Sequence, residues 1–291
     1  MDIERVQNRL SNVQSVEPLL GALRTISLGA WQIALRHLSN LEIVGKDYQY
    51  ILAALSPYLV EYLPKKITPT PNALPRKTVI VAAGSERGLC GRVDQDLIDF
   101  MQAGLADMQD EICQLIIFGG RLGKSVAQQI MQPTNTHAAS STSMPSYEAM
   151  LKLAKEWLVE ISAGNIDRVL VFYTAYHSLS SRSPTLMQIL PYEIDLYDTE
   201  TRMDWPPPII ETNPVQLFLR TYEHIVAMRL YEALLHSKAS IHSNRYQLME
   251  ESTKNADRIL EELEILLQME RRQSITREMQ ELAIGAGLLE T

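Results

Sequence analysis

The sequence is poor in cysteine, contains no long hydrophobic run and has no excess of positive charge. Two cysteines, Cys90 and Cys113, are too few for a disulfide framework or a four-cysteine zinc site, and they are typical of a reducing compartment. We expect both to be buried small hydrophobic residues. No segment approaches the roughly 20 apolar residues that cross a bilayer. The amino terminus MDIERVQNRL also carries charge where a signal peptide needs an apolar core. Any link to a membrane is therefore expected to run through a partner.

The charge balance argues against nucleic-acid binding. The formal net charge is −8 and the isoelectric point is near 5.3, so the chain has no basic field that would hold a phosphate backbone. The six histidines are scattered along the sequence, and we expect no metal site. With 291 residues, of which 46% are hydrophobic, the chain is long enough to bury a sizeable core and to support two structural units.

An apolar seam with helical spacing covers residues 2–58. Steps of three and four residues, sustained over about seven heptads, predict a long helix that packs along another long helix. Pro18 lies inside the pattern, so we expect a kink or a late helix start there. The predicted helical segment is 1–62, and a proline-rich linker is expected over 63–77. The seam comprises Val6, Leu10, Val13, Val16, Leu20, Leu23, Ser27, Ala30, Ala34, Leu38, Leu41, Val44, Tyr48, Leu52 and Leu55.

Residues 78–208 have the pattern of an α/β unit, which we call the foot domain. Short β-branched runs at 78–84, 114–120 and 168–176 predict parallel strands buried on both faces, and residues 186–194 are a candidate for a further strand. The segments VDQDLIDFMQAGLADM and SYEAMLKLAKEWLVEI have helical spacing, and a serine-rich loop, AASSTSMPS, precedes the second of them. This alternation predicts a Rossmann-like fold with a mostly parallel sheet.

Residues 209–291 predict a second terminal helix, because no proline follows Pro214 and no glycine occurs before Gly285. The stretch SKASIHSNRY, residues 237–246, is small and polar, so we expect it to need a surrounding sleeve or a partner along it. We predict that the two terminal helices form an antiparallel coiled coil with the foot domain inserted between them. The expected core contacts of the second helix are Leu219, Tyr222, Val226, Leu230, Ala233, Ile259, Leu263 and Leu266.

Two glycine-containing segments resemble nucleotide-binding loops without completing either motif. The segment IIFGGRLGKS ends in Gly-Lys-Ser, but a phosphate loop needs a glycine where this chain has Phe118. Gly119, Gly120 and Gly123 therefore predict an ordinary strand-to-helix turn. The segment SERGLCG, residues 85–91, lacks the full dinucleotide-binding pattern.

Acidic residues do not form a catalytic arrangement in the sequence. Asp94 and Asp96 stand two residues apart, which does not place two carboxylates opposite each other for acid–base hydrolysis. We assign no catalytic, cofactor-binding or metal-binding residue.

Three stretches of the sequence carry a resemblance, which extends along nearly the whole length of the chain, to the γ subunit of F-type ATP synthases. Residues Arg87, Gly88, Leu89, Cys90 and Gly91 are similar to the family's R-G-L-C-G motif after the first strand. The segment VFYTAYHSLSSRSPTLMQILP resembles the family's V-x-Y-N…S-Q-x-P…Q-x-L-P segment. The most specific similarity lies at the end, where SKASIHSNRYQLMEESTKNAD and RQSITRE resemble S-K-A-S-E-H…R…A-M-x-x-A-T-x-N-A and R-Q-x-x-I-T-x-E.

The resemblance implies a non-catalytic rotor subunit without a cofactor. Its terminal coiled coil would stand inside a ring of three α and three β subunits, and its foot domain would rest on the ε subunit and the membrane c-ring. Such a protein is peripheral, on the cytoplasmic face of an energy-transducing membrane, either the plasma membrane or the thylakoid. By position, Arg272, Gln273, Thr276 and Glu278 match the family's polar cluster that contacts a loop of the β subunit, beside the amino-terminal helix near Leu23.

Departures from the family pattern leave alternatives open. In the amino-terminal helix, Ser15, Val16, Pro18, Leu20 and Leu23 replace the family's Asn, Thr, Lys, Thr and Met, so the basic position among them is neutral. A γ-like subunit of a second, alternative F-type ATPase that moves protons or sodium ions fits these departures. Two hypotheses lie outside the family: a free-standing α/β nucleotide-binding enzyme with helical flanks, and a coiled-coil scaffold unrelated to rotation. Binding of ATP or NAD by the isolated chain would favour the enzyme.

Overall fold

The structure, a computed structural model, describes residues 3–55, 76–137, 146–192 and 210–285. The predicted linker and serine-rich loop lie almost entirely outside the described residues. The chain divides into two compact units, which we call the sheet unit, residues 28–244, and the terminal unit, residues 1–27 together with 245–291.

The described residues form five helices and five strands, and their order follows the predicted alternation of strands and helices. The elements are α1 (Ile3–Leu55), β1 (Lys77–Ala83), α2 (Val93–Ala106), β2 (Glu111–Phe118), α3 (Gly120–Gln129), β3 (Asn135–His137), α4 (Tyr147–Ser162), β4 (Arg168–Tyr176), β5 (Arg182–Leu190) and α5 (Pro214–Gly285).

Both long terminal helices are present. Helix α1 begins at Ile3 and continues through Pro18, so the expectation of a late start is wrong. Pro18 is exposed, and so is Gln14, the residue whose carbonyl loses its intrahelical partner, which limits the cost of the interruption. Helix α5 begins where the Asn213 side chain accepts a hydrogen bond from the Val215 backbone N–H, 3.0 Å away, as an N-cap does. Within the described residues it extends to Gly285.

The sheet is mixed and mostly parallel, with the strand order β3-β2-β1-β4-β5. Strands β1, β2, β3 and β4 run parallel to one another, and β5 is antiparallel to β4. The further strand predicted over residues 186–194 instead covers Arg182–Leu190 and returns beside β4. Strand β3 was not predicted because it is only three residues long and all three are exposed.

Helices cover both faces of the sheet. On one face, Val79, Val81 and Val171 pack with residues of α1, α4 and α5, including Leu52 and Trp157. The intervening strand residues Ile80, Ala82 and Phe172 face the other way and pack with α2 and α3. Burial of a Val, Leu or Ile side chain stabilises the fold by about 1.5–3 kcal/mol relative to exposure, so these two cores hold the sheet unit together.

Predictions of burial fail at four positions, and two of these, Val16 at 48% exposure and Val44 at 43%, belong to the predicted seam of α1. Cys90 is buried as expected, but Cys113 is exposed, because it lies in the first half of β2, where exposed and partly buried side chains alternate. Leu219 was expected to be a core contact, yet it is 50% exposed near the start of α5. Of the other predicted contacts of α5, Tyr222, Val226 and Leu230 are buried.

Candidate functional site

In the terminal unit the two ends of the chain pack in opposite directions. Val6 of α1 forms an apolar cluster with Leu263 and Leu267 of α5. Farther along α1, an Arg24 Nη1 donates to Glu250 Oε2 at 2.8 Å. Residue numbers therefore rise along one helix as they fall along the other.

The predicted coupling residues lie on the exposed surface of α5. Arg272, Gln273, Thr276 and Glu278 are all exposed. The Thr276 hydroxyl donates to the Arg272 backbone carbonyl of its own helix, at 2.8 Å. These four side chains share one segment of about two helical turns and are accessible from outside the chain.

Leu23 does not lie beside these residues. Its neighbour Arg24 pairs with Glu250, which precedes Arg272 by 22 positions on the same helix. At 1.5 Å per residue, Leu23 lies about 33 Å along α5 from Arg272. The predicted proximity therefore does not appear in the terminal unit, because the antiparallel register places α5 residues near Glu250 opposite Leu23.

The R-G-L-C-G motif forms a tightly held loop after β1. Cys90 is buried with Val93 and Ile241, whereas Leu89 is 57% exposed and has a left-handed backbone with φ of 65°. Gly91 also has a positive φ, 61°. Gly88 lies beneath the Arg121 side chain, and a Cβ there would lie 2.4 Å from a guanidinium nitrogen.

Asp94 holds this loop from inside rather than facing a substrate. It is buried, and its carboxylate accepts a hydrogen bond from the Ser85 backbone N–H at 3.0 Å and another from the Ser85 hydroxyl. The Cys90 thiol lies 3.8 Å from the same carboxylate. Asp96 is exposed and pairs with Arg92 at 3.5 Å. Asp94 and Asp96 thus have separate structural partners.

The amino terminus of α3 is occupied by an acidic side chain of the chain itself. The Gly120 backbone N–H donates to Glu86 Oε2 at 2.7 Å. The next two backbone N–H groups, of Arg121 and Leu122, both donate to the Ser85 carbonyl at 3.2 Å. Groups that would hold a phosphate in a phosphate loop are therefore already paired. The turn is confined to Gly119, while Gly120 and Gly123 belong to α3.

The carboxyl ends of β1 and β4 meet where the strand order reverses, which is where α/β sheets commonly bind ligands. Here α5 contacts those strands. The Ser237 hydroxyl donates to the Ala83 carbonyl at 2.7 Å, and the Ser240 hydroxyl donates to the Thr174 carbonyl at 3.0 Å. The Asn244 amide donates to the Cys90 carbonyl at 2.6 Å. The chain's own helix thus satisfies polar groups at this edge.

These contacts overturn the expectation that residues 237–246 need a sleeve or an external partner. Ser237, Ser240 and Ser243 are buried within the sheet unit, and so are Lys238 and His242. The small side chains let α5 approach the strand ends closely, and their hydroxyl groups supply the donors that the strand carbonyls require. The sequence signal for this contact was the spacing of Ser237, Ser240 and Asn244, which places the three polar side chains on one face of the helix.

A cleft of about 450 Å³ opens between α1 and α5 in the sheet unit, beside Tyr192. Burial raises the pKa of the Glu232 carboxyl in this cleft, although Arg229 opposes the shift. Burial lowers the pKa of the neighbouring His236, whose Nδ1 accepts the Tyr176 backbone N–H at 3.3 Å. Both side chains are thus biased towards their neutral forms.

Among the described residues, no group of three or more His, Cys, Asp or Glu side chains is arranged to hold a metal ion. Within the same ranges, no helix combines the length and the apolar character needed to cross a bilayer.

Comparison with known proteins defines the class. The family model described as ATP synthase matches residues 2–289, and the chain belongs to this family. Its curated relatives include proteins named ATP synthase gamma chain. The one from Anaeromyxobacter dehalogenans is 24% identical over 98% of both chains, and the one from Zymomonas mobilis is 24% identical over 99% of both.

Solved structures share the fold. The chain is similar to a chain of the mitochondrial ATP synthase of Euglena gracilis, in a structure of its OSCP, F1 and c-ring, with a TM-score of 0.63, 13% identity and coverage of 99% of this chain and 96% of that one. It is also similar to a chain in the central stalk and c-ring structure of the Tetrahymena thermophila mitochondrial ATP synthase, with a TM-score of 0.57, 18% identity and coverage of 80% and 99%.

Proposed function

We propose that this chain is the central-stalk rotor subunit, γ, of an F-type ATP synthase. In this role it couples ion translocation through the membrane sector to ATP synthesis or hydrolysis in a ring of α and β subunits. The observation that carries the proposal is the family match over residues 2–289, together with gamma-chain relatives aligned over 98% or more of their length.

The terminal helices act as the axle, in the form of an antiparallel coiled coil. Support comes from the apolar cluster of Val6 with Leu263 and Leu267 and from the pairing of Arg24 with Glu250. An axle with different side chains on each face presents a different surface to each of three catalytic sites. Each contact then favours a different state of its site, and rotation exchanges those states.

The surface of the terminal unit supports enclosure by a ring of partners. Both of its helices leave several large apolar side chains exposed, as surfaces that contact a partner do. A surrounding ring of α and β subunits would remove this surface from water. The exposed side chains are Val16, Leu19, Ile26, Ile265, Met269, Ile275, Met279 and Leu282.

Arg272, Gln273, Thr276 and Glu278 are the proposed contacts with a β-subunit loop. They alternate with exposed apolar residues such as Ile275, and their charged and amide groups offer directional hydrogen bonds that an apolar bearing lacks. Leu23 would act at a different height on the axle, since it lies opposite α5 residues near Glu250.

The foot domain contributes binding surface rather than catalysis. In the proposed complex it rests on the ε subunit and the c-ring, and the chain meets the membrane only through these partners, on the cytoplasmic face of a plasma or thylakoid membrane. Catalysis belongs to the neighbouring β subunits. The pairing of Glu86 with the start of α3 supports a non-catalytic role, since it fills the position that a bound phosphate would need.

A second candidate function is that of a γ-like subunit in a second, alternative F-type ATPase. Val16 replaces a threonine of the family pattern and is 48% exposed, and its neighbours Leu19 and Ile26 are also exposed and apolar. An axle with so little charge on this face fits a ring whose inner surface is correspondingly apolar.

Reconstitution tests the proposal. The chain is purified with the α and β subunits from the same organism, and we expect a stable complex whose ATPase activity requires all three chains. Titration of the isolated chain with ATP and with NAD should give no saturable binding at micromolar concentrations. Micromolar nucleotide binding by the chain alone, without assembly on the ring, would support the free-standing enzyme instead.

A further inference from the structure

Five aromatic and imidazole rings join three helices in the sheet unit. We call this set the ring cluster: His37 and Tyr48 of α1, Tyr147 at the first turn of α4, and His224 and Tyr231 of α5. Its members on α5 are seven residues apart and therefore lie on one face, two turns from each other. The cluster connects the sheet, through α4, to both terminal helices.

His224 lies at the centre of the cluster. Its ring stacks on Tyr48 of α1, with centroids 5.6 Å apart and planes 9° from parallel. The Tyr147 ring lies 6.2 Å from the same imidazole with its plane at 15°, and the Tyr147 hydroxyl is 3.0 Å from His224 Nδ1. The three rings come from three different helices, so a relative rotation of any one helix disturbs the stack.

A second set of contacts extends the cluster along α1 and α5. Tyr147 meets Tyr231 edge to face, with centroids 5.7 Å apart at 78°. Tyr231 in turn meets His37 at 6.3 Å and 87°, and its hydroxyl is 3.4 Å from His37 Nδ1. Burial, with a smaller contribution from Tyr48, raises the pKa of Tyr147 to about 12, so its hydroxyl keeps its proton at neutral pH.

We propose that the ring cluster is the torsional joint through which the sheet passes torque to the two terminal helices, with His224 and Tyr147 as its positioning residues. This inference rests on the proposed rotor function. Contacts between aliphatic side chains are non-directional, so they oppose the sliding or rotation of one helix over another through packing alone. Stacked and edge-to-face rings, and the contact between Tyr147 and His224, depend on orientation and resist such sliding.

The test uses the complex of the chain with its α and β subunits. The ring of α and β subunits is fixed to a surface, and a bead is attached to the sheet unit of the chain. The angular variance of the bead on the stalled rotor is then recorded without ATP turnover. The variants are H224A, which removes the centre of the stack, and Y147F, which removes only one hydroxyl. The matched control is F100L, which breaks the edge contact of Phe100 with Phe172, 6.0 Å apart, on the opposite face of the sheet.

We expect H224A to increase the angular variance by about twofold and Y147F to increase it less, while F100L leaves it unchanged even where all three variants lower the melting temperature. Equal variance in H224A and F100L would overturn the inference, since a role in packing alone predicts that result. If H224A fails to assemble, an unchanged variance in Y147F overturns it. Failure of the unmodified chain to assemble would instead refute the proposed function.

Discussion

The Glu86 carboxylate accepts a hydrogen bond from the Gly120 backbone N–H, 2.7 Å away, at the first residue of α3. A helix amino terminus attracts anions because its first N–H groups have no intrahelical partners and because the helix dipole is positive there. In this protein the attracted anion is a side chain of the same molecule. The near-match to a phosphate loop therefore lacks both its first glycine and an available binding position.

Removal of this internal anion should weaken the fold. We expect E86A to lower the free energy of unfolding by about 1 kcal/mol, because the Gly120 N–H loses its acceptor and the dipole loses its charge. E86Q keeps an acceptor oxygen without the charge and should lose less. Urea unfolding of the isolated chain measures both changes. Unchanged stability in E86A would show that the contact contributes nothing.

The serine contacts of α5 give a second prediction. S237A and S240A should each lower the free energy of unfolding by about 1–2 kcal/mol, because a buried strand carbonyl loses its donor. S39A, at an exposed position of α1, is the control and should change stability by less than about 0.5 kcal/mol. Thermal melts of the three variants suffice. Equal effects at buried and exposed positions would contradict the assignment of these bonds.

Three glycines, Gly119 before α3, Gly164 after α4 and Gly29 within α1, differ in how strongly the structure requires glycine, and alanine substitutions should rank them. Gly119 has a φ of 122°, and a Cβ there would lie 2.6 Å from the Gly84 carbonyl oxygen, so G119A should cost about 3 kcal/mol or more. Gly164 has a φ of 74° but open space around it, so G164A should cost only about 1 kcal/mol. Gly29 lies within α1 with no atom near its missing Cβ, and G29A should stabilise the chain by roughly 0.5–1 kcal/mol.

Denaturant titration of these three glycine variants gives their order directly. A cost for G164A as large as that for G119A would mean that backbone angle alone, without the close approach to Gly84, sets the requirement.

The buried Glu232 predicts a pH-dependent stability. Its folded pKa lies above the ordinary value of 4.5, so its favourable contribution is complete below that pH and is lost as the pH rises through the folded pKa. E232Q should therefore raise the melting temperature at pH 7, and the difference should vanish near pH 4. Calorimetry from pH 4 to pH 8 records the change.

E264Q, at an exposed position of α5, is the control for E232Q and should show no such trend. The lowered pKa of His236 predicts a loss of stability as the pH falls below 6.5. This loss is common to E232Q, E264Q and the unmodified chain, so it cancels when their melting temperatures are subtracted. A constant difference between E232Q and the unmodified chain over the whole range would refute the role assigned to burial.

The proposed coupling residues can be tested in the assembled complex. Replacement of both Gln273 and Thr276 by alanine should reduce ATP-driven ion pumping by about tenfold, as expected from the loss of one to two hydrogen bonds. The folded state should be unaffected because both side chains are exposed. Q280A, also exposed on α5, is the control. Pumping equal to that of the unmodified complex would remove these residues from the coupling site.

The strands and long helices were predictable because their signals are local. The β-branched runs at β1, β2 and β4 and the proline-free span of α5 mark those elements without knowledge of their partners. Strand β5 was located four residues too late, since its amino-terminal half, from Arg182, has no continuous apolar run. Strand β3 contains only Asn, Thr and His and has no strand pattern of its own.

The polar contacts were not predictable, because each partner is distant in sequence. Ser237 bonds to a carbonyl 154 positions away, and Glu86 reaches a helix 34 positions away. The small polar face of α5 was visible in the sequence, but it was interpreted as a surface for another protein. Similarly, the register of the terminal unit, which separates Leu23 from Arg272, depends on packing between opposite ends of the chain.

The hydroxyl hydrogen bonds from α5 to β1 and β4, together with the amide hydrogen bond to the loop after β1, fix the helix to this edge of the sheet. In many α/β proteins the same crevice exchanges cofactors with the solvent, and its occupant comes and goes. Here the occupant is covalently continuous with the rest of the molecule and cannot be displaced by dilution. The crevice is therefore permanently occupied, and a force applied to α5 is transmitted to the strands within one chain, without a subunit interface between them.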